Sequence, residues 1–102
     1  MNTSNEAQAG AKTGVKLAPT VTLLVTTGCH YCDDARGELA ARADLGDLEL
    51  NIVSIDSEQG RALQATHRPS MFPLVLVDVQ PFSIGRLPRG KLDRALARRK
   101  AC

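Results

Sequence analysis

Two cysteines three positions apart are the residues whose type and spacing most clearly indicate chemistry in this chain. Cys29 and Cys32 follow the apolar run 21–25 and open a segment that favours a helix. At the first turn of a helix, unpaired N–H groups and the positive end of the helix dipole stabilise a thiolate, the reactive form of cysteine. The pattern therefore predicts a redox pair. Cys29, nearer to solvent, attacks a substrate disulfide, and Cys32 then attacks the mixed disulfide.

Metal binding is the alternative use of a Cys-x-x-Cys pair. A structural zinc ion usually takes four ligands, and the sequence holds neither a second Cys-x-x-Cys nor a paired-histidine motif. We therefore expect no metal site and no tightly bound cofactor within the chain. An iron–sulfur or zinc carrier in which Cys29 combines with ligands from a partner or a small thiol stays open as a second function.

The surrounding pattern predicts alternating strands and helices. Predicted strands cover 20–26, 48–55, 73–79 and 81–85, and predicted helices cover 31–43, 57–66 and 88–100. Asp56 is the predicted N-cap of the second helix, with Gln59 completing a capping box. In the second strand, alternation places Leu48, Leu50 and Ile52 on one face. The expected order is β-α-β-α-β-β-α.

Length and composition indicate one small globular domain. Of the 102 residues, 43% are hydrophobic, and the first 18 are mostly small or polar. We expect 1–18 to be a flexible tail and 19–102 to fold.

Segment 86–100 has seven basic residues and one acidic residue, but no interleaved aromatics, so nucleic-acid binding is not favoured. The sequence shows no apolar run long enough to span a membrane and no secretory signal, so a cytoplasmic location is expected. We also expect the protein to be a monomer.

Three segments carry a resemblance to a known family. They are 21–32 with the cysteine pair, 70–77 with Pro73 opening the third strand, and 83–86 after the fourth strand. Together with the element order, they make the chain resemble the thioredoxin-fold superfamily, and within it the glutaredoxins and small glutaredoxin-like proteins. Tyr31 matches the tyrosine of the glutaredoxin Cys-Pro-Tyr-Cys motif. The resemblance implies an α/β fold with a four-stranded mixed sheet and three flanking helices.

The resemblance also implies an activity, that of a thiol–disulfide oxidoreductase with Cys29 and Cys32 as catalytic residues. Pro73 would be a cis-proline beside the sulfurs, and the Phe72 backbone would pair with an extended substrate. Tyr31 and His30 would also contact the substrate, a disulfide-containing protein or a small-thiol mixed disulfide. Glutathione, another small thiol such as mycothiol, or a reductase would supply electrons. A non-enzymatic binding module that uses the Phe72–Pro73 edge is the remaining alternative.

The sequence departs from the glutaredoxin pattern at three places. His30 replaces the proline of the motif, and as a cation it would stabilise the Cys29 thiolate. Thr26 and Thr27 stand where the family has a lysine. The Gly-Gly-x-Asp that holds glutathione in the family is replaced by the segment 85–88, Gly-Arg-Leu-Pro. The electron donor is therefore left open.

Overall fold

The computed structural model describes the backbone of residues 18–101 and the side chains of residues 18–98. The strands are β1 (Thr20–Val25), β2 (Glu49–Ser54), β3 (Leu74–Val77) and β4 (Gln80–Ile84). The helices are α1 (His30–Asp44), α2 (Glu58–His67) and α3 (Arg89–Ala101). The predicted element order is confirmed. The predicted flexible tail, apart from Ala18, lies outside the described residues.

The four strands form one mixed sheet, as predicted, and lie in it in the order β2-β1-β3-β4. β1 lies at the centre, parallel to β2 and antiparallel to β3, and β3 pairs antiparallel with β4. Every residue of β1 after Thr20 is buried. β4 is an edge strand, where Pro81 is tolerated because one side of the strand needs no hydrogen-bond donor. The sheet thus directs the C-terminal end of its buried central strand towards the cysteines.

Helices cover both faces of the sheet. The larger core cluster joins β1 to the inner stripes of α1 and α3, through residues such as Leu23, Leu39 and Leu92. Leu24, the next residue along β1, belongs to a second cluster against which Leu63 of α2 packs. Successive strand residues point to opposite faces, so α1 and α3 lie on one face and α2 on the other.

The start of α2 corrects the sequence-based prediction. Ser57, not Asp56, is the N-cap, and its Oγ accepts a hydrogen bond of 2.9 Å from the backbone N–H of Gly60. Gln59 therefore does not occupy the third helical position, and the predicted capping box is wrong. Both Asp56 and Ser57 are good N-cap types, and the sequence alone did not distinguish two adjacent candidates.

The burial of β2 differs from the simple alternation. Ile52 is 45% exposed, whereas its neighbour Val53 is 4% exposed and packs in the cluster beneath α2. Ile52 is therefore largely exposed, although alternation places it on the same face as the buried Leu48. Because helices cover both faces of this sheet, residues of either parity can be buried, and alternation on an edge strand does not identify them.

Candidate active site

Cys29 occupies the N-cap of α1, directly after the turn that follows β1. Gly28 has φ of +68°, which a glycine adopts without steric penalty, and Cys29 itself is extended. The backbone N–H of Cys32 donates to the Sγ of Cys29 over 3.1 Å. The sulfur therefore takes the place of a capping oxygen and lies against the positive end of the helix.

The two cysteines form a disulfide with a Cα–Cα distance of 5.1 Å, within the usual range for such bonds. They differ in exposure. Cys32 is 1% exposed and belongs to the larger core cluster, whereas Cys29 is partly exposed and packs at its border. The bond therefore has one accessible sulfur and one buried sulfur, which is the asymmetry that an attacking and a resolving thiol require.

The loop before β3 lies beside the accessible sulfur. The Phe72–Pro73 peptide bond is cis, as the resemblance implied. The Sγ of Cys29 is 3.8 Å from the carbonyl oxygen of Phe72. Pro73 is fully buried, and its carbonyl accepts a 3.0 Å hydrogen bond from the N–H of Gly85. The chain thus brings Cys29, Phe72 and Pro73 together, although their two segments are 43 residues apart.

An exposed methionine borders this loop. Met71 is 49% exposed, and an added Cβ on Gly85 would lie 3.2 Å from its Cε. Gly85 also has φ of +77°. A glycine at this position lets the end of β4 approach the loop closely. Met71 was not among the predicted site residues, because a lone methionine in a loop has no sequence pattern that points to a site.

His30 and Tyr31 are exposed on the first turn of α1 and line a surface pocket of about 250 Å³. Asp34, Arg86 and Arg89 complete the lining. The guanidinium carbon of Arg86 lies 5.7 Å from the centroid of the Tyr31 ring, a cation–π arrangement. Sequence reasoning missed both arginines, which it assigned only to a basic segment. Arg86 directly follows Gly85 in a segment that the sequence analysis had singled out, and that position was the available signal for it.

Ion pairs connect the start of α3 to α1. Arg89 contacts Asp34 and Glu38 at 3.0 Å each, and Arg42 contacts Glu38 at 2.8 Å and Asp93 at 2.6 Å. The hydrogen bonds from Arg89 and then Arg42 hold the pKa of Glu38 below its ordinary value. The pKa of Arg89 is raised by its hydrogen bonds to Asp34 and Glu38. This network fixes the side of the pocket formed by α3.

Among the described side chains, those of residues 18–98, no three His, Cys, Asp or Glu groups come close enough to hold a metal ion. Within the same range, none of the helices combines the length and apolar character needed to cross a membrane.

Comparisons with known proteins identify the fold. No family model and no curated protein matches the sequence. Among solved structures, an uncharacterised thioredoxin-like protein from Clostridium perfringens superposes with a TM-score of 0.62 at 17% identity, over 83% of this chain and 73% of that one. A thioredoxin from Fasciola hepatica gives 0.56 at 19% identity, over 82% and 83% of the two chains.

A third structure, glutaredoxin 1 from Francisella tularensis complexed with cacodylate, gives a TM-score of 0.49 at 15% identity, over 83% of this chain and 100% of that one. At these identities the first two structures show the fold alone. The protein has the thioredoxin fold, as predicted, with a disulfide-bonded Cys-x-x-Cys at the start of its first helix.

Proposed function

We propose that the protein is a thiol–disulfide oxidoreductase of the glutaredoxin-like type. The observation that carries the proposal is the pair of unequal sulfurs at the N-terminus of α1: an accessible Cys29 that caps the helix and a buried Cys32 bonded to it. A helix N-terminus favours the thiolate of the first sulfur, and a thiolate is the nucleophile in disulfide exchange.

The reaction proceeds in two exchanges from the reduced dithiol. The Cys29 thiolate attacks one sulfur of the substrate disulfide, forms a mixed disulfide with it and releases the other sulfur as a thiolate, which takes up a proton. Cys32 then loses its proton and attacks the Sγ of Cys29. This forms the Cys29–Cys32 disulfide and releases the second substrate thiol. The substrate gains two electrons, which an external donor must return to the protein as thiols.

Four residues are proposed to contact the substrate. The main chain at Phe72 and Pro73 lies beside Cys29 and offers an edge along which an extended substrate can bind. His30 and Tyr31 follow Cys29 in the chain and line the pocket on the exposed side of α1. The proposed substrate is a protein disulfide or a small-thiol mixed disulfide. Glutathione, mycothiol or a reductase is the proposed donor, and a cytoplasmic monomer is the proposed working form.

The test is disulfide reduction by purified protein with each donor supplied in turn: glutathione, mycothiol, and a thioredoxin reductase with its nicotinamide cofactor. At least one donor should support repeated turnover. Cys29→Ser should abolish that turnover, whereas Cys102→Ser, which removes a thiol outside the pair, should preserve it. Absence of turnover with every donor would overturn the proposal. A coloured or zinc-containing purified protein in that case would favour the carrier function instead.

A further inference from the structure

Arg86 differs from its charged neighbours in the pocket beside Cys29. Arg89 forms ion pairs with Asp34 and Glu38. Arg86 takes part in no ion pair with the described residues, and its guanidinium faces the ring of Tyr31. Asp34, the acidic residue of the pocket lining, is already paired with Arg89. The pocket therefore presents one guanidinium whose charge is not neutralised by a carboxylate of the described chain.

The backbone holds Arg86 in place on both sides. Gly85 is buried and donates a hydrogen bond to the carbonyl of Pro73, and Leu87 is 1% exposed in the core. The guanidinium carbon lies 5.7 Å from the centroid of the Tyr31 ring, within cation–π distance. A guanidinium is a rigid fork of N–H donors that matches a carboxylate with two parallel hydrogen bonds.

We propose that this pocket is a carboxylate-binding subsite, in which Arg86 selects disulfides that carry a carboxylate a few bonds from the sulfur attacked by Cys29. The inference rests on the proposed oxidoreductase function and specifies its substrate class. His30, the residue after Cys29, lines the pocket, so a substrate bonded to Cys29 can extend past His30 into the subsite. The pocket volume of about 250 Å³ accommodates a short side group that ends in a carboxylate.

The experiment measures the rate constants with which reduced protein reacts with three small aliphatic disulfides at neutral pH. They are 3,3′-dithiodipropionate, which is anionic, bis(2-hydroxyethyl) disulfide, which is neutral, and cystamine, which is cationic. Each rate is divided by that of dithiothreitol with the same disulfide, which corrects for intrinsic reactivity. The normalised rates should fall in the order anionic, neutral, cationic, and added salt should reduce the differences.

Arg86→Gln should lower the ratio of the anionic to the neutral rate about tenfold, the effect of losing one modest charge-assisted hydrogen bond. Arg86→Lys should recover part of that ratio, because it keeps the charge but not the fork. Arg94→Gln is the matched control. It removes the same charge from an exposed position of α3 that does not line the pocket, and it should leave the ratio unchanged.

A second arm distinguishes the source of the carboxylate. Two cystine peptides that differ only by Glu or Gln next to the cysteine are compared in the wild-type and Arg86→Gln proteins. If Arg86 confers a preference for dithiodipropionate, the substrate is a small acidic disulfide. If Arg86 confers a preference only for the Glu peptide over the Gln peptide, the substrate is a polypeptide. Equal normalised rates for all substrates would overturn the subsite but leave the oxidoreductase intact. Failure of every disulfide to react would instead overturn the proposed function.

Discussion

The sulfur of Cys29 lies 3.8 Å from the carbonyl oxygen of Phe72. This contact joins the N-terminus of α1 to the loop before β3, and the Phe72–Pro73 peptide bond is held there by the burial of Pro73. A substrate bonded to Cys29 therefore lies against the main chain of that loop. The proposed exchange and its substrate contacts depend on this arrangement.

The unequal exposure of the two sulfurs predicts which mixed disulfide can be trapped. In Cys32→Ser the resolving thiol is missing, so the substrate should remain bonded to Cys29. Intact-mass spectrometry after mixing with excess disulfide should show one adduct, in a Cys102→Ser background that removes the third thiol. The matching Cys29→Ser protein should show little adduct, since Cys32 is 1% exposed. Equal adduct formation by both variants would contradict the assigned roles.

Gly85 and Gly46 provide a test of the loop beside the site. Both have positive φ, +77° and +83°, so alanine at either position should destabilise the fold by about 1–2 kcal/mol. An added Cβ at Gly46 meets no atom within 4 Å, whereas at Gly85 it lies 3.2 Å from the Cε of Met71. Gly85→Ala should therefore also slow disulfide reduction, and Gly46→Ala should change stability alone. Urea unfolding and steady-state rates measure the two effects.

If Gly85→Ala reduced disulfides as fast as Gly46→Ala, the approach of Met71 to the end of β4 would have no role in the reaction. The substrate contacts would then have to be sought on the α1 side of Cys29.

Gly60 and Gly37 are the second matched pair, this time for packing. A Cβ on Gly60 would overlap the carbonyl oxygen of Ser54 and approach the Cα of Ile55 at 2.9 Å. Gly60→Ala should destabilise the protein by roughly 3 kcal/mol, the upper range for overpacking, because rigid backbone lies in the way. Gly37 is exposed within α1 with open space around it, so Gly37→Ala should stabilise by about 0.5–1 kcal/mol. Chemical denaturation measures both changes in the free energy of unfolding. A Gly60→Ala protein as stable as the wild type, or a destabilised Gly37→Ala protein, would contradict this packing.

The ion pairs of Glu38 predict a pH dependence of stability. Its pKa is lowered in the folded state by Arg89 and Arg42, from an ordinary value of 4.5. A lowered carboxyl pKa contributes stability that is fully present above the unfolded value and is lost as pH falls through the folded value. Glu38→Gln should therefore destabilise the protein by about 1 kcal/mol at pH 7, since these pairs are partly exposed, and by much less at low pH.

Thermal unfolding of the wild type and Glu38→Gln between pH 7 and 2.5 measures this difference. High salt at pH 7 should also reduce it, because screening weakens partly exposed pairs. A difference that stayed constant across the pH range would show that the carboxylate charge of Glu38 does not stabilise the fold.

Much of the fold was predictable because its local patterns agree with one another. The apolar β1, the Cys-x-x-Cys after it and Pro73 before β3 each favoured the same arrangement. The juxtaposition of Cys29 with Phe72 was implied by the resemblance alone, since no local pattern connects residues so far apart in sequence. Arg86 was missed because a basic segment does not show which of its charges α1 neutralises; that depends on the packing of α3 against Asp34 and Glu38.

The central claim is that Cys29 is an activated nucleophile at a helix N-terminus. Its most direct test is the rate of iodoacetamide alkylation of Cys29 in the reduced Cys102→Ser protein as a function of pH, followed by peptide mass spectrometry. We expect Cys29 to react before Cys32, with a midpoint that places its thiol pKa well below the ordinary value of about 8.5. A midpoint at or above that value, or faster alkylation of Cys32, would contradict the account.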